Sequence, residues 1–162
     1  MMENINDHQQ HRHSSAPAYW MLCLNLLLSL VAMYLVMYTM IDRWSDYRNN
    51  INMLYMALTM WAFMGILMIV TMGDMYQDRQ VNFVLYVVFA SVILGSFWAT
   101  RSQALVHDRQ FIESMIPHHS GAILMCREAK LQDPELIKLC RNISEGQRRE
   151  IDQMNAIAAR LR

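Results

Sequence analysis

The chain alternates long apolar runs with short polar breaks, and the run lengths carry the first inference. Residues 1–17 (MMENINDHQQHRHSSAP) are polar, lack hydrophobic periodicity and are expected to be disordered. Three apolar runs follow, at about 18–41, 53–72 and 81–100. Each is close to the twenty residues that cross about 30 Å of hydrocarbon at about 1.5 Å per residue. The breaks at 42–52 and 73–80 are short and charged, so the runs should pack as an antiparallel up-down-up bundle of three transmembrane helices. Tyr19, Trp20, Tyr38, Trp44, Tyr76 and Trp98 lie near the ends of the runs, as interfacial aromatic belts require. The opening is polar, the first run is long and no small-residue cleavage site follows it. The run therefore reads as a retained span, not a signal peptide.

Beyond Thr100 the pattern stays helical but becomes amphipathic. One segment runs from about 102 to 130, with Pro117 expected as a kink or a restart. The residues Leu131-Gln132-Asp133-Pro134 read as a turn, with Asp133 as N-cap and Pro134 in the first helical position. A last helix carries a seam at Leu136, Cys140, Ile143, Gln147, Glu150, Met154, Ile157 and Leu161, in alternating steps of four and three. Gln147 and Glu150 interrupt this seam. A buried amide and carboxylate need partners, so that stretch either holds a site or rotates to bury Ile151 and solvate Glu150. The architecture expected is therefore all-α: three transmembrane helices (18–100) followed by a two-helix hairpin domain (101–162).

Composition sharpens this picture in three places. Met is abundant at 16 of 162 residues, while Gly at 5 and Pro at 3 are too scarce for a turn-rich β chain. The formal net charge is zero, which gives no electrostatic reason to expect nucleic acid, and no nucleotide motif is present. The three cysteines are too few for a disulfide scaffold. Cys23 falls in the first span, where a small packing residue is the simplest reading.

The chemistry concentrates in residues 107–126. At helical spacing Met115 lies above His118 and His119, His118 above Met125, and His119 above Cys126. Thioether, imidazole and thiol on one face form a soft donor set that suits Cu(I) or Ag(I). Folding the last helix back pairs positions that sum to roughly 265, from hairpin geometry. Cys126 should then face Cys140, His118 or His119 should face Gln147, Met115 should face Glu150, and Phe111 should face Met154. The interrupted part of the seam thus lands opposite the His/Met face. Other readings stay open: methionine as core filler, the histidines as surface residues or a helix start, and the two cysteines as buried thiols, a disulfide or metal ligands.

The segment His107-Asp108, Phe111-Ile112, Met115-Ile116-Pro117-His118-His119, Ala122-Ile123 and Met125, followed by Gln147, Glu150-Ile151 and Met154, resembles the bacterial domain-of-unknown-function 305 family. The resemblance covers about 105–160. It implies a ferritin-like helical bundle built from two-helix repeats, a link to copper or silver binding and tolerance, and a location outside the cytoplasm. By position it implicates His107, Met115, His118, His119, Met125 and Met154 in metal handling. Cys126, Cys140 and Glu150 join them as candidates from the seam argument. Cys126 and Cys140 stand where the family more often has small residues. Only one two-helix repeat is present, so a homodimer or other homo-oligomer is expected to complete four helices. The Glu-x-x-His pairs of di-iron enzymes are absent, which argues against an oxidase.

Two further features bear on metal. Met53, Met56, Met60, Met64, Met68, Met72 and Met75 keep to about 160° of arc on the second span. Ser91, Gly95 and Ala99 form a small-residue stripe on the third. Together they loosely resemble the pattern of Ctr-type copper transporters, although adaptable packing also explains the methionines. His8, His11 and His13 could capture borderline ions. The reading is a non-enzymatic Cu(I)- or Ag(I)-binding protein of the bacterial inner membrane, serving copper homeostasis or tolerance. The alternatives are a copper transporter or channel component, and a membrane sensor or assembly protein that uses the hairpin to bind a partner. The resemblance implies a periplasmic hairpin. The arginine distribution (Arg12 and Arg79 on one face, Arg43, Arg48, Arg101 and Arg109 on the other) leans the other way.

Overall fold

The computed structural model describes residues 16–161, and among these there is helix but no strand. Residues 1–15 of the tail expected to be disordered, with the histidines at 8, 11 and 13, fall outside the described residues, and residues 16 and 17 belong to the first helix. The first helix, α1 (Ala16–Val36), tightens into a 3-10 turn at Met37–Met40. Next come α2 (Ile51–Thr71), α3 (Arg79–Ser102), α4 (Asp108–Glu128) and α5 (Pro134–Arg160). All three apolar helices are long enough to cross a bilayer, at Pro17–Met40, Ile51–Thr71 and Arg79–Ser102. The starts of α2 and α3 are set by side chains that take up free backbone N–H groups. Asn50 accepts from Met53 N at 3.0 Å, and Asp78 accepts from Gln80 N and Val81 N at 2.9 and 3.1 Å.

The spans are inside out relative to a water-soluble bundle. Their common core is narrow: Leu22, Leu26, Ala62, Ile69, Tyr76 and Phe89. Leu27, Leu28, Leu67, Val70, Phe83, Leu94 and Phe97 face outward with half or more of their surface exposed. A surface of that kind is stable only in lipid. The chain is a multi-pass membrane protein. Where α2 and α3 meet, Gly65 lies flat against the Phe89 ring; a Cβ there would come within 2.5 Å of it. Trp61 stacks edge-on to Phe89 and donates to Leu26 O at 2.8 Å, and Thr59 and Ser96 share a hydrogen bond at 2.8 Å. The small-residue stripe is not what brings α3 close. Ser91 and Gly95 face outward and only Ala99 is buried, because α3 turns its Phe89 and Ser96 side toward α2.

The break before the hairpin falls at 103–107 and not at Pro117. Gln103 and Leu105 adopt left-handed conformations (φ 51° and 60°), and Ala104 N reaches back to Ala99 O at 2.9 Å, which ends α3 in a Schellman-like turn. Pro117 sits inside α4, buried against its neighbours, and α4 runs through it. The turn into α5 follows the sequence pattern: Asp133 accepts from Glu135 N and Leu136 N, each at 2.9 Å, and Pro134 opens the helix.

The hairpin closes on its own core of Ile112, Ile116, Ile123 and Ile151, with Met154, Ile157 and Ala158 packed alongside. It docks on the end of the bundle where α1 finishes and α2 begins. Gln110 Oε1 accepts from Ile51 N at 2.9 Å, Asn52 donates to Ser114 at 3.2 Å, and Asp42 N donates to Ser120 Oγ at 2.8 Å. Gln110 and Ser120 are about 15 Å apart along α4, while packed helix axes sit roughly 8–10 Å apart. Contacts so placed lay α4 across the end of the bundle. Gly121 permits the approach, since a Cβ there would sit 3.0 Å from Met40 O.

Candidate functional site

His119 is the best-defined polar side chain of the hairpin. Its side chain is 10% exposed, and both ring nitrogens are engaged. Nδ1 lies 2.8 Å from Met115 O and Nε2 lies 2.8 Å from Glu150 Oε2. A carbonyl can only accept, so Nδ1 carries a proton and donates it. Nε2 therefore faces the carboxylate across a contact that requires one more proton, on the imidazole or on the acid. A ring fixed through Nδ1–H to a backbone carbonyl, with Nε2 aimed at an acidic partner, is also the arrangement that orients a metal-ligating histidine.

The pairing has its own register. The disulfide sums to 266 (126 plus 140), whereas His119 and Glu150 sum to 269. Side chains on a helix lean toward its N-terminus. In an antiparallel pair, a contact between two such leaning chains therefore joins Cα atoms about three positions beyond those directly opposite. The same sum sets Met115 opposite Met154 one turn away, and Ala122 opposite Gln147 on the other side. Gln147 Oε1 is buried with no hydrogen-bond partner among the described residues. That register places Met115 and Met154 on one side of the His119–Glu150 pair and Gln147 on the other, over about two helical turns, with Ile151 buried and the Glu150 side chain 57% exposed.

Of the remaining candidates, His107, His118, Met125, Cys126 and Cys140 do not converge there. His107 is exposed just before α4, about 18 Å along the axis from His119. His118 is exposed, its ring centre 6.1 Å from that of His119. Met125 is 59% exposed. Cys126 and Cys140 are joined in a disulfide, with Cα atoms 5.2 Å apart. Their assignment as metal ligands is corrected accordingly: sulfur bonded to sulfur offers no thiolate. Met154 packs beside the isoleucine core, and Phe111, expected opposite it, is 53% exposed. Among the described residues no three His, Cys, Asp or Glu side chains cluster as a metal site, so a centre here must also draw on Met or Gln.

Sequence reasoning missed a second polar cluster. Asp46 is 3% exposed and accepts from Ser120 Oγ at 2.6 Å. Arg148 reaches Asp46 at 3.3 Å and Asp42 at 2.7 Å, and Arg127 also pairs with Asp42. Arg48 adds a bond to Asn155 at 3.0 Å. The loop between α1 and α2 is thereby tied to both hairpin helices. Two carboxylates against two arginines, with Ser120 fully buried, satisfy the buried charge. The available signal was the small pair Ser120-Gly121 on an otherwise bulky helix, which marks a face of close approach.

An all-helical, multi-pass membrane chain with a polar hairpin docked on one end of its spans is the class these observations define. The model for "Domain of unknown function (DUF305)" matches residues 99–158, and the chain belongs to that family. "Uncharacterized protein L153" of Acanthamoeba polyphaga mimivirus is 31% identical over 143 residues, covering 85% of this chain and 90% of that protein. An alignment of that length must include most of the span region and all or most of α4. No solved structure matches the chain.

Ser120→Ala removes both the donor to Asp46 and the acceptor for Asp42 N. It should destabilise docking by about 1–3 kcal/mol, seen as faster hydrogen exchange across residues 41–50 with little change inside the spans.

Proposed function

We propose that the hairpin is a soft-metal binding module, for Cu(I) or Ag(I), held against one face of a membrane and acting in metal homeostasis without catalysis. The observation that carries this reading is the His119 ring, fixed through Nδ1 to Met115 O with Nε2 set against Glu150. His119, Met115 and Met154 supply imidazole and thioether donors matched to a soft monovalent ion. Glu150 and Gln147 stand beside them as oxygen donors. A bound cation would take the place of the proton shared by His119 and Glu150. Exposed Leu136 and Leu139 near the hairpin tip support a homodimer as the working unit.

A transporter reading draws on a separate observation. Met56, Met60 and Met64 line the outward face of α2, 38–44% exposed, where an oligomer could close them into a thioether path. Whole-cell copper accumulation distinguishes it from storage.

The disulfide supports placing the hairpin on the oxidising side of its membrane, with the N-terminal tail opposite.

Anaerobic Cu(I) titration of the full-length protein in detergent, against a colorimetric chelator, tests the metal reading. His119→Gln and the pair Met115→Leu/Met154→Leu should each weaken binding at least about tenfold, and His107→Gln should not. Equal affinity in all four proteins would contradict it. Alkylation of the denatured chain tests the orientation: one cysteine of three should react before reduction and all three after. Labelling of all three in protein taken unreduced from its native membrane would place the hairpin in a reducing compartment.

A further inference from the structure

A cleft of 830 Å³ opens between α1 and α2 under the start of α4. Its size falls within the range of small-molecule sites, roughly 300–1,000 Å³. Its two ends differ in chemistry. The wall is Leu30, Val31, Leu35 and Leu54, all within spans and, apart from Leu30, exposed. The ceiling is Tyr34, Asn49 and the α4 residues Arg109 and Glu113.

Depth decides what can occupy it. Leu30 lies ten residues before the end of the first span at Met40, about 15 Å along the helix. That is half of a hydrocarbon core about 30 Å thick. The apolar wall therefore lies within one leaflet, and the ceiling meets the headgroup layer. Water has no place in the lower half, and a purely apolar molecule leaves the ceiling unsatisfied.

Arg109 supplies the second constraint. Its side chain is 75% exposed, with Nε donating to Glu113 Oε1 at 2.9 Å and the two terminal nitrogens turned outward without a hydrogen-bond partner among the described residues. The nearby Arg48 differs: its terminal nitrogens donate to Ser45 O, Tyr47 O and Asn155. Glu113 is already taken by Arg109 and by Gln110 Nε2 at 2.7 Å. Arg109 and Glu113 also border a neighbouring cleft, to which Arg48 adds a further positive charge.

We infer that this cleft is a site for one glycerophospholipid, with an acyl chain along Leu30, Val31, Leu35 and Leu54 and its phosphate on the free terminal nitrogens of Arg109. Arginine holds phosphate through paired N–H donors. A lipid so held would join the first two spans to α4 and brace the hairpin from the side opposite the Asp46 cluster. The inference is independent of any metal.

Native mass spectrometry of the full-length chain, exchanged into detergent with phosphatidylglycerol, tests this. Wild type should retain one lipid per chain. Leu54→Trp and Leu35→Trp, which fill the cleft, and Arg109→Gln, which removes the donors, should each lower retention about tenfold, the effect of one lost charge-assisted contact. Phe97→Trp, on the outward side of α3, should leave it unchanged, and circular dichroism confirms folding in each case. Equal retention in wild type and the cleft variants overturns the inference. So does displacement of the lipid by inorganic phosphate, or a lipid-free dimer whose protomers close the cleft.

Discussion

Asp46 accepts from Ser120 Oγ at 2.6 Å and faces Arg148, and through these contacts a ten-residue connection between two spans becomes the seat of the hairpin. Burying a carboxylate is costly unless charge and hydrogen bonds meet it. Here Arg148 bridges Asp46 and Asp42, Arg127 adds a second cation, and the Asp42 amide closes on Ser120. Because Ser120 and Gly121 are small, α4 can approach the Met40 carbonyl closely enough for these bonds to form. The orientation of α4, and with it everything α4 carries, follows from that contact. The loop also covers a flank of α4 that the sequence pattern left for a second chain.

With α4 set across the end of the bundle, α5 is positioned by the disulfide at one end and the isoleucine core along its length. His119 and Glu150 meet between these two restraints. The His119 ring has no freedom to choose its tautomer: Nδ1–H donates to Met115 O, so the lone pair or second proton of Nε2 is directed at Glu150. Rigid orientation by a backbone carbonyl is what makes this histidine, and not the exposed His118 beside it, the natural centre of a metal reading.

Much of this was legible in the sequence because it rests on periodicity. Run length gave three spans, and Asp133-Pro134 gave the start of α5. Antiparallel pairing at roughly 265 anticipated the Cys126–Cys140 contact at 266. What periodicity cannot supply is side-chain direction. The paired positions at the polar step sum to 269 because both side chains lean toward their own N-termini, so His119 meets Glu150 instead of Gln147. Pro117 does not break α4, while Gln103 and Leu105, with no glycine to announce them, end α3 in left-handed conformations. The Asp42–Asp46 cluster was hidden for a different reason. It joins residues up to 106 positions apart, and no local pattern reports that.

We propose that His119 and the methionines flanking it hold a soft monovalent ion. X-ray absorption at the copper edge, on full-length protein loaded anaerobically with one Cu(I) per chain, addresses it most directly. The expected coordination is imidazole nitrogen with thioether sulfur, its nitrogen component disappearing in His119→Gln. A shell of oxygen and nitrogen alone, unchanged by that substitution, would contradict it.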